Sequence, residues 1–478
     1  MFKKVKFKMS FLIDERKNIS DNNSVNEKRR FRQFHDMIKY SRTVSCYGKI
    51  EKVVGMTIES TGPDANIGDL CYIYPTREEK IRGNGIKAEV IGIHEDKVLL
   101  MPFEEVSGIG PKSIVESTGE TLKIPVGEAL MGRILDGIGN PIDDKGEIKT
   151  DEYYSVDNKV PNPLKRPRIE DKITMGVKAI DGLLTVGEGQ RIGIFSGSGV
   201  GKSTLLGMIA RNVEADINVI GLVGERGREV REFIERDLKE KGLERSVLVI
   251  ATSDQSAMQR LKCAMTATTI AEYFKDKGKK VLLMMDSLTR FAMAQREVGL
   301  AAGETPIARG YTPSLYKIFP KLLERPGRFE NGSITGIYTV LVEGDDVNEP
   351  ISDTVRGIID GHIVLTRELA MKNHFPAIDI LASISRLMND IVDEKHLKLA
   401  GEMRNLLSTY TTNADLINIG AYKKGSDPKI DEAISKIDKI NAFLKQEVME
   451  TFDYKKTVKI MFDTLQKELN KKSGFYDI

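Results

Sequence analysis

The sequence predicts a small N-terminal β-barrel, a central α/β core and a C-terminal helical domain. A chain of 478 residues is too long for a single hydrophobic core. Three changes of pattern mark the divisions: short β-rich runs at 43–105, apolar strands alternating with helices at 171–386, and helical periodicity alone at 387–478. The remaining segments are a basic N-terminal extension at 1–42 and a connector at 106–170.

The overall composition is that of an ordinary globular protein. Hydrophobic residues make up 40% of the chain and charged residues 30%, and a formal net charge of +2 gives no reason to expect a nucleic-acid partner. Cys46, Cys71 and Cys263 lie too far apart for a disulfide framework or a zinc site, which favours a reducing cytoplasm. No apolar run approaches the ~18–20 residues that would cross a bilayer.

The first 42 residues carry a local excess of positive charge. They contain 12 Lys or Arg against 5 Asp or Glu, and Phe2, Phe7 and Phe11 interleave with that charge. Such a segment suits docking on a partner or on an anionic membrane surface. A frayed, solvated terminus accounts for the same composition, so the residues alone leave both interpretations open.

Short strands separated by turn signals predict the barrel. The predicted strands are 44–50, 70–74, 88–93 and 97–101, and the last two are predicted to form a hairpin. Strands of this length and spacing are typical of a small barrel. A Gly-, Pro- and Asp-rich stretch from 135 onward then separates the barrel from the core.

Long apolar strands alternating with helical patterns predict the core. The strands are 191–195, 217–223, 246–251, 280–285 and 333–341, and the intervening helical patterns include 229–241, 256–276 and 289–300. This order implies right-handed βαβ units and a largely parallel sheet covered on both faces. Beyond it, only helical periodicity with Lys and Glu faces continues, at 431–448 and 454–471.

The most informative motif follows the first core strand. Residues 196–204 read Ser-Gly-Ser-Gly-Val-Gly-Lys-Ser-Thr and lead directly into a helical pattern. A glycine-rich loop between a strand and a helix lets backbone N–H groups converge on phosphate at the positive end of the helix. Lys202 can neutralise the β- and γ-phosphates, and the Ser203 hydroxyl can bind Mg²⁺. The predicted nucleotide-binding residues of this P-loop are Gly197, Ser198, Gly199, Val200, Gly201, Lys202, Ser203 and Thr204.

One position departs from the full P-loop pattern, because Ser196 stands where the pattern has glycine. This residue starts the turn and does not touch phosphate. The departure therefore weakens the match to the motif more than the capacity of the loop to bind phosphate. A second carboxylate is predicted at Asp286, which ends the apolar strand at 281–285 and can hold Mg²⁺ through water. A strand-end Asp is also a common helix cap, which is the alternative interpretation.

Five further motifs carry a family resemblance. The stretches 221–230, 282–297, 344–346, 360–365 and 376–386 resemble those of the flagellar and type III secretion export ATPases. These enzymes are similar in turn to the catalytic subunit of rotary ATP synthases. The resemblance covers about 43–478 and implies a RecA-like P-loop core that hydrolyses ATP with Mg²⁺.

The resemblance also implies an assembly and partners. It implies a homohexameric ring at the inner face of the cytoplasmic membrane, with ATP hydrolysis powering or assisting flagellar protein export. Partners expected from it are a regulator bound by the N-terminal extension, a central stalk protein, and export substrates with their chaperones. Membrane association would be peripheral.

Residue roles are carried over from the same resemblance. Glu225 matches the catalytic Glu that orients the attacking water, and Arg226 matches an Arg that reaches the γ-phosphate. Arg386 matches an arginine finger that reaches the nucleotide of a neighbouring subunit. The alternatives are a surface ion-pair network for Glu225 and an intramolecular salt bridge for Arg386. Phe375 stands where family members stack an aromatic on adenine, although it also suits a core position.

Tyr410 is a candidate for the opposite wall of the adenine site. Preference for ATP over GTP comes from the resemblance alone.

Other protein classes remain as alternatives. An injectisome ATPase shares every motif quoted, and the flagellar type is preferred. A rotary synthase catalytic subunit is disfavoured by Gly227 and by the loop 302–306. A hexameric RNA motor would need basic residues beside its barrel aromatics, and none cluster there. A scaffold without turnover is disfavoured because Glu225, Asp286 and Arg386 occur together.

Overall fold

The computed structural model of this protein describes residues 46–342 and 349–466. The basic extension at 1–42, the motif at 344–346 and the tail beyond 466 lie outside the described residues. From Gly48 onward the described residues belong to one compact unit. Within them, no helix is both long and apolar enough to cross a membrane.

The N-terminal domain is a closed six-stranded barrel with strand order β1-β2-β5-β4-β3-β6. Alternate residues of its strands point inward, and Ile58, Ile73 and Leu100 are fully buried there. Helix α1 (Arg77–Arg82) connects β3 to β4 and is capped by Thr76, whose hydroxyl accepts the Glu79 N–H. The barrel strands are β1 (Tyr47–Val54), β2 (Thr57–Thr61), β3 (Asp69–Tyr74), β4 (Ile86–His94), β5 (Lys97–Pro102) and β6 (Ile114–Thr121).

The barrel extends beyond the expected boundary at 105. Its closing strand β6 pairs with β3 and lies in the segment that the sequence assigned to the connector. Only Val115 is buried in this strand, so it lacks the alternating pattern that predicted β1, β3, β4 and β5; β2 was not predicted either.

The connector is also more structured than its composition predicts. Strands β7 (Lys123–Val126) and β9 (Glu152–Ser155) pair antiparallel. Between them, β8 (Ile134–Asp136) pairs in parallel with a core strand and forms one edge of the core sheet. A strand of three residues is too short to show periodicity, which explains why the sequence did not indicate it.

The core sheet has the order β19-β18-β12-β17-β15-β13-β14-β8, with β16 paired to β17 off this path. Strands β12, β13, β14, β15, β17 and β18 run parallel, whereas β19 runs antiparallel to β18. The predicted fold class is confirmed. The strands of the core are β10 (Lys172–Ile173), β11 (Val186–Gly187), β12 (Arg191–Ser196), β13 (Ile217–Val223), β14 (Ser246–Ala251), β15 (Lys280–Asp286), β16 (Gly327–Arg328), β17 (Ser333–Leu341), β18 (Gly361–Leu365) and β19 (Ile378–Ser385).

Helices cover both faces of this sheet and form the C-terminal domain. The predicted helix at 229–241 is divided by a π-helical segment, Phe233–Leu238, where Asp237 packs against Gly207. The helices are α2 (Lys178–Leu183), α3 (Lys202–Asn212), α4 (Gly227–Glu232), α5 (Lys239–Glu244), α6 (Ala257–Asp276), α7 (Leu288–Ala301), α8 (Pro313–Leu323), α9 (Pro350–Ile358), α10 (Arg367–Met371), α11 (Met388–Ile391), α12 (Glu394–Asn418), α13 (Pro428–Leu444) and α14 (Tyr454–Leu465). Single 3₁₀ turns lie at Glu128–Leu130, Pro163–Lys165 and Ala308–Gly310.

The C-terminal helices pack on the core through a buried polar contact. His396 is fully buried, with Nε2 2.6 Å from the Gly182 carbonyl oxygen and Nδ1 2.7 Å from the Tyr454 hydroxyl. The carbonyl can only accept a hydrogen bond, so Nε2 donates to it and Nδ1 accepts from Tyr454. This contact joins α2 of the core to α12 and α14.

The direction of the strands decides which residues can meet. The parallel strands β12, β13 and β15 all end at the same edge of the sheet, so the loops that follow them lie side by side. Strand β19 runs the other way. Its first residues lie beside the carboxyl end of β18, and its last residue, Ser385, pairs with Gly361 at the opposite edge.

Candidate nucleotide-binding and catalytic site

The glycine-rich loop lies between the end of β12 and the start of α3. Gly199 and Gly201 have φ angles of +79° and +88°, a left-handed conformation that glycine adopts without steric cost. A Cβ atom on Gly199 would meet nothing within 4 Å, so the loop faces open space. The Val200 side chain is buried in the core. Because α3 begins at Lys202, the N–H groups of its first turn are available at this loop.

A cavity of about 630 Å³ opens over the loop, a volume typical of small-ligand sites. Apart from Val200, every predicted residue of the P-loop lines this cavity. Glu225 and Arg226, which follow β13, line it as well. The structure therefore brings the residues of two separate motifs to one space at the carboxyl edge of the sheet.

Lys202 lies between two carboxylates. Its Nζ donates a short hydrogen bond to Asp286 Oδ1 and lies 3.6 Å from Glu225 Oε1. Burial alone would lower the pKa of the Lys202 ammonium, but the two neighbouring negative charges outweigh burial and raise this pKa. Lys202 therefore stays charged in the site.

The burial and the pKa of Glu225 differ from those of a surface glutamate. Its side chain is 12% exposed, and its Oε1 atom is buried without a hydrogen-bond partner. Burial, and then the negative charge of Asp286, raise the pKa of Glu225 to about 7, although Lys202 opposes the rise. Glu225 lines the cavity, and a carboxylate there with a pKa near neutrality is suited to accept a hydrogen bond from water.

The raised pKa of Glu225 predicts a pH-dependent effect of Glu225→Gln on stability. A folded pKa of about 7 against an ordinary value of 4.5 means that the folded protein holds the proton more tightly than the unfolded chain. The wild type thus loses stability as pH rises from about 4.5 through 7. The Glu225→Gln variant has no proton to lose at this position and keeps its stability over that range. We expect Glu225→Gln to become more stable than wild type by on the order of 2–3 kcal/mol above pH 7, measured as urea unfolding midpoints.

The matched control for this prediction is Glu235→Gln. Glu235 is 62% exposed and paired with Arg231 on the surface, so its replacement should change the stability little. A constant difference between Glu225→Gln and wild type from pH 5 to pH 8 would contradict the assigned environment of Glu225.

Asp286 is fixed at the end of β15 by two donors. Besides Lys202, the Thr339 hydroxyl on β17 donates to Asp286 Oδ1 at 2.6 Å. The cap of α7 is the next residue, Ser287, whose hydroxyl accepts the Arg290 N–H, so the alternative role of Asp286 as helix cap is wrong.

The oxygen atoms of Asp286 and Ser203 match the ligands that Mg²⁺ prefers. In the described part of the chain no three His, Cys, Asp or Glu residues cluster as a metal site. A site with so few protein ligands fits Mg²⁺ that is bound mainly by phosphate and water.

A second cavity of about 580 Å³ adjoins the P-loop on its other side, and both cavities share Gly199, Gly201 and Thr204. Phe375 lines it and is 42% exposed, which a core phenylalanine would not be. Its ring packs close to Gly201: a Cβ atom added to this glycine would lie 3.6 Å from the ring.

The opposite wall of the second cavity differs from expectation. Residues 445–448, between α13 and α14, line it, whereas Tyr410 does not. Tyr410 packs instead from α12 against the apolar core. The wall comes from a short polar loop with no motif, so the sequence offered no signal for it.

The two arginines predicted to be catalytic lie in different places. Arg226 lines the first cavity, but its side chain is 77% exposed and its Nη1 lies 3.6 Å from Glu229 Oε1. Arg386 follows the last residue of β19 at the amino edge of the sheet, and its Nη2 donates to the Arg356 carbonyl oxygen at 3.2 Å. With ~3.3 Å per residue along β18, Arg386 lies at least roughly 15 Å from the carboxyl edge that holds the P-loop.

Comparison with known proteins agrees with this geometry. The model described as "ATP synthase alpha/beta family, nucleotide-binding domain" matches residues 176–385, and the beta-barrel domain of the same family matches 50–119. The "T3SS EscN ATPase C-terminal domain" matches 392–463. The "Flagellum-specific ATP synthase" of Bacillus subtilis (strain 168) is 59% identical over 411 residues, which cover 86% of this chain and 93% of the relative. The chain belongs to the flagellar and type III secretion ATPase family.

Relatives of this ATPase come from both kinds of export system. The "Type 3 secretion system ATPase" of Xanthomonas euvesicatoria is 49% identical over 415 residues, covering 87% of this chain and 93% of the relative. The solved structure of the assembled ATPase EscN from enteropathogenic E. coli has a TM-score of 0.82 at 50% identity, covering 88% of this chain and 100% of that chain. The predicted family, fold and ATPase activity are confirmed.

Sequence reasoning missed several residues at the site of this export ATPase. Thr289, Arg290 and Arg367 line the first cavity, and the Nε of Arg290 is buried without a hydrogen-bond partner. Arg290 lies in the first turn of α7, four residues after Asp286, and packs against Gly224. A cation in the first turn after a strand-end carboxylate is the signal that could have identified it.

Proposed function

We propose that this ATPase hydrolyses Mg²⁺-ATP in a homohexameric ring that drives or assists flagellar protein export at the inner face of the cytoplasmic membrane. The observation that carries the ring is the separation of Arg386 from the P-loop of its own chain. A finger at the opposite edge of the sheet can act only on the nucleotide of a neighbouring copy, because its own nucleotide site is beyond its reach.

Each residue at the carboxyl edge has a distinct part in hydrolysis. The P-loop N–H groups and Lys202 bind the phosphates, and Asp286 and Ser203 would hold Mg²⁺ beside them. Mg²⁺ supplies charge neutralisation on the β- and γ-phosphates when bound. Glu225 accepts a hydrogen bond from the attacking water and orients it toward the γ-phosphate, and Arg226 turns from Glu229 toward that phosphate.

The second cavity is proposed as the adenine site. Phe375 offers an exposed aromatic face beside Gly201, and residues 445–448 form the facing wall. Stacking of a base on an aromatic ring is worth ~1–3 kcal/mol and tolerates any base. We call the space between Phe375 and residues 445–448 the adenine slot. Stacking in this slot accounts for affinity for the nucleoside. The preference for ATP over GTP is inferred from the family.

Assembly and partners are proposed from the relatives. EscN has been solved both as an assembled ATPase and in complex with its central stalk EscO, the latter with a TM-score of 0.81 at 49% identity to this chain. We infer a stalk protein as partner here as well. The basic extension at 1–42 is proposed to bind a regulator and the membrane surface, with export substrates and chaperones as further partners. No nucleic-acid partner is proposed.

Ring formation predicts that ATPase activity depends on protein concentration. Because each site needs Arg386 of a neighbour, the rate per subunit should rise steeply over the concentration range in which rings assemble. The measurement is steady-state ATP hydrolysis in parallel with sedimentation velocity. A rate per subunit that is constant while the protein passes from monomer to ring would contradict the shared site.

The flagellar assignment is tested separately by complementation. The 59% identity to a flagellum-specific relative, against 49% to a type III secretion relative, favours the flagellar system. Expressed in a Bacillus subtilis strain that lacks its own flagellum-specific relative, the chain should restore swimming. Restored secretion in an injectisome ATPase deletion strain without restored swimming would assign it to the other system.

A further inference from the structure

The facing wall of the proposed adenine slot is formed by the C-terminal domain rather than by the core. Residues 445–448 begin the segment 445–453 that joins α13 to α14, and they line the same cavity as Phe375. The width of the slot therefore depends on how this short segment is attached to the core.

Gln446 makes that attachment with both ends of its amide. Its Oε1 accepts the Lys178 N–H at 2.8 Å, and its Nε2 donates to the Gly176 carbonyl oxygen at 2.9 Å. Nε2 also donates to the Glu450 carbonyl oxygen at 3.0 Å, which closes the loop on itself. Gln446 is 6% exposed, and both N–H groups and the oxygen of its amide make hydrogen bonds within the protein.

The backbone of the same residue contacts the opposite wall. The Gln446 N–H donates to the Phe375 carbonyl oxygen at 3.0 Å. One residue therefore ties together the core at Gly176 and Lys178, its own loop at Glu450, and Phe375, which carries the aromatic face. Loss of its side-chain bonds would leave buried amide and carbonyl groups of the core unpaired.

We propose that Gln446 is a positioning residue that holds the C-terminal domain against Phe375 and thereby sets the affinity of the site for the nucleoside part of ATP. This inference rests on the proposed adenine slot. It adds that affinity for ATP is coupled to docking of the C-terminal domain, whereas binding of the triphosphate by the P-loop is not.

The test separates the two parts of the ligand. In Gln446→Met the chain length is kept and the polar bonds are lost. We expect KM for ATP to rise about tenfold, which corresponds to the loss of one stacking or hydrogen-bond contribution. The kcat at saturating ATP should stay within about twofold, and the inhibition constant of Mg²⁺-tripolyphosphate, which has no base, should not change.

Two matched variants decide between the explanations. Thr451→Val removes another hydrogen bond between this loop and the core, from Thr451 Oγ1 to Asn212 Oδ1 at 3.1 Å, away from the slot, and should leave KM unchanged. Phe375→Ala should raise KM for ATP without affecting tripolyphosphate. If Phe375→Ala raises KM and Gln446→Met does not, the inference is wrong and the slot stands. If neither raises KM, the slot itself is wrong.

Equal weakening of ATP and tripolyphosphate by Gln446→Met would also overturn the inference, since it would indicate general damage. Hydrogen exchange in the wild type gives an answer even if the variant does not fold. By reciprocity of coupling, ATP should slow exchange of the amides at 445–448 and tripolyphosphate should not. Equal protection by both ligands, or by neither, would contradict the coupling.

Discussion

Glu225→Gln should bind ATP with near-normal affinity and hydrolyse it about 10³-fold more slowly. The glutamine keeps the shape of the side chain but cannot polarise water as a carboxylate does. Glu225 Oε1 lies 3.6 Å from Lys202 Nζ but accepts no hydrogen bond, so the glutamine loses an ion pair but no structural hydrogen bond at that atom. The loss should therefore appear in kcat and leave KM within a few-fold of wild type.

The measurements are steady-state hydrolysis and equilibrium binding of ATP at the same pH. Glu235→Gln, a surface replacement of the same kind, should retain full activity. Turnover near the wild-type value in Glu225→Gln would remove Glu225 from the proposed role. Loss of ATP binding would instead show that Glu225 acts by holding Lys202.

The contiguous parts of the site could be predicted from the sequence, because the residues that act together there are neighbours along the chain. The P-loop needs a strand, a glycine-rich turn and a helix, and all three adjoin Lys202. Asp286 was predicted because it ends an apolar strand, and the role of Glu225 came from the family resemblance; parallel strands then bring both residues to one edge of the sheet. The structure places both within reach of Lys202.

The parts of the fold and of the site that are built from distant or very short segments could not be predicted from the sequence. The wall at 445–448 is contributed by a loop about seventy residues after Phe375, and its polar residues resemble any surface turn. Strand β8 has three residues and β6 has one buried residue, so neither shows the period of a strand. The prediction that Tyr410 forms this wall was wrong for the same reason: Tyr410 packs against the core from α12, and the wall is the loop at 445–448.

Arg386→Ala should abolish most of the ATPase activity without preventing ring assembly. Its guanidinium lies at the amino edge of the sheet, and an arginine finger that stabilises charge on the transferred phosphoryl group contributes about 10³–10⁵ in rate. The expected loss is in kcat, while ATP binding by each P-loop is retained. Arg231→Ala, which removes an exposed arginine paired locally with Glu235, is the control and should retain activity.

The stability of the subunit should be little affected by Arg386→Ala, because the side chain gives up one exposed hydrogen bond to the Arg356 carbonyl. Rings formed by the variant can be verified by sedimentation velocity. Activity near that of wild type in rings of Arg386→Ala would show that this arginine has no part in hydrolysis.

The most direct test of the shared site is to mix two inactive variants. Lys202→Ala lacks the phosphate-binding cation but carries an intact finger, and Arg386→Ala has the reverse defect. In randomly mixed rings of equal proportions, about a quarter of the interfaces pair an intact P-loop with an intact finger. The predicted result is recovery of roughly a quarter of the wild-type rate per subunit. A rate no greater than the average of the two separate variants, in rings shown to be mixed, would contradict a site completed by the neighbouring subunit.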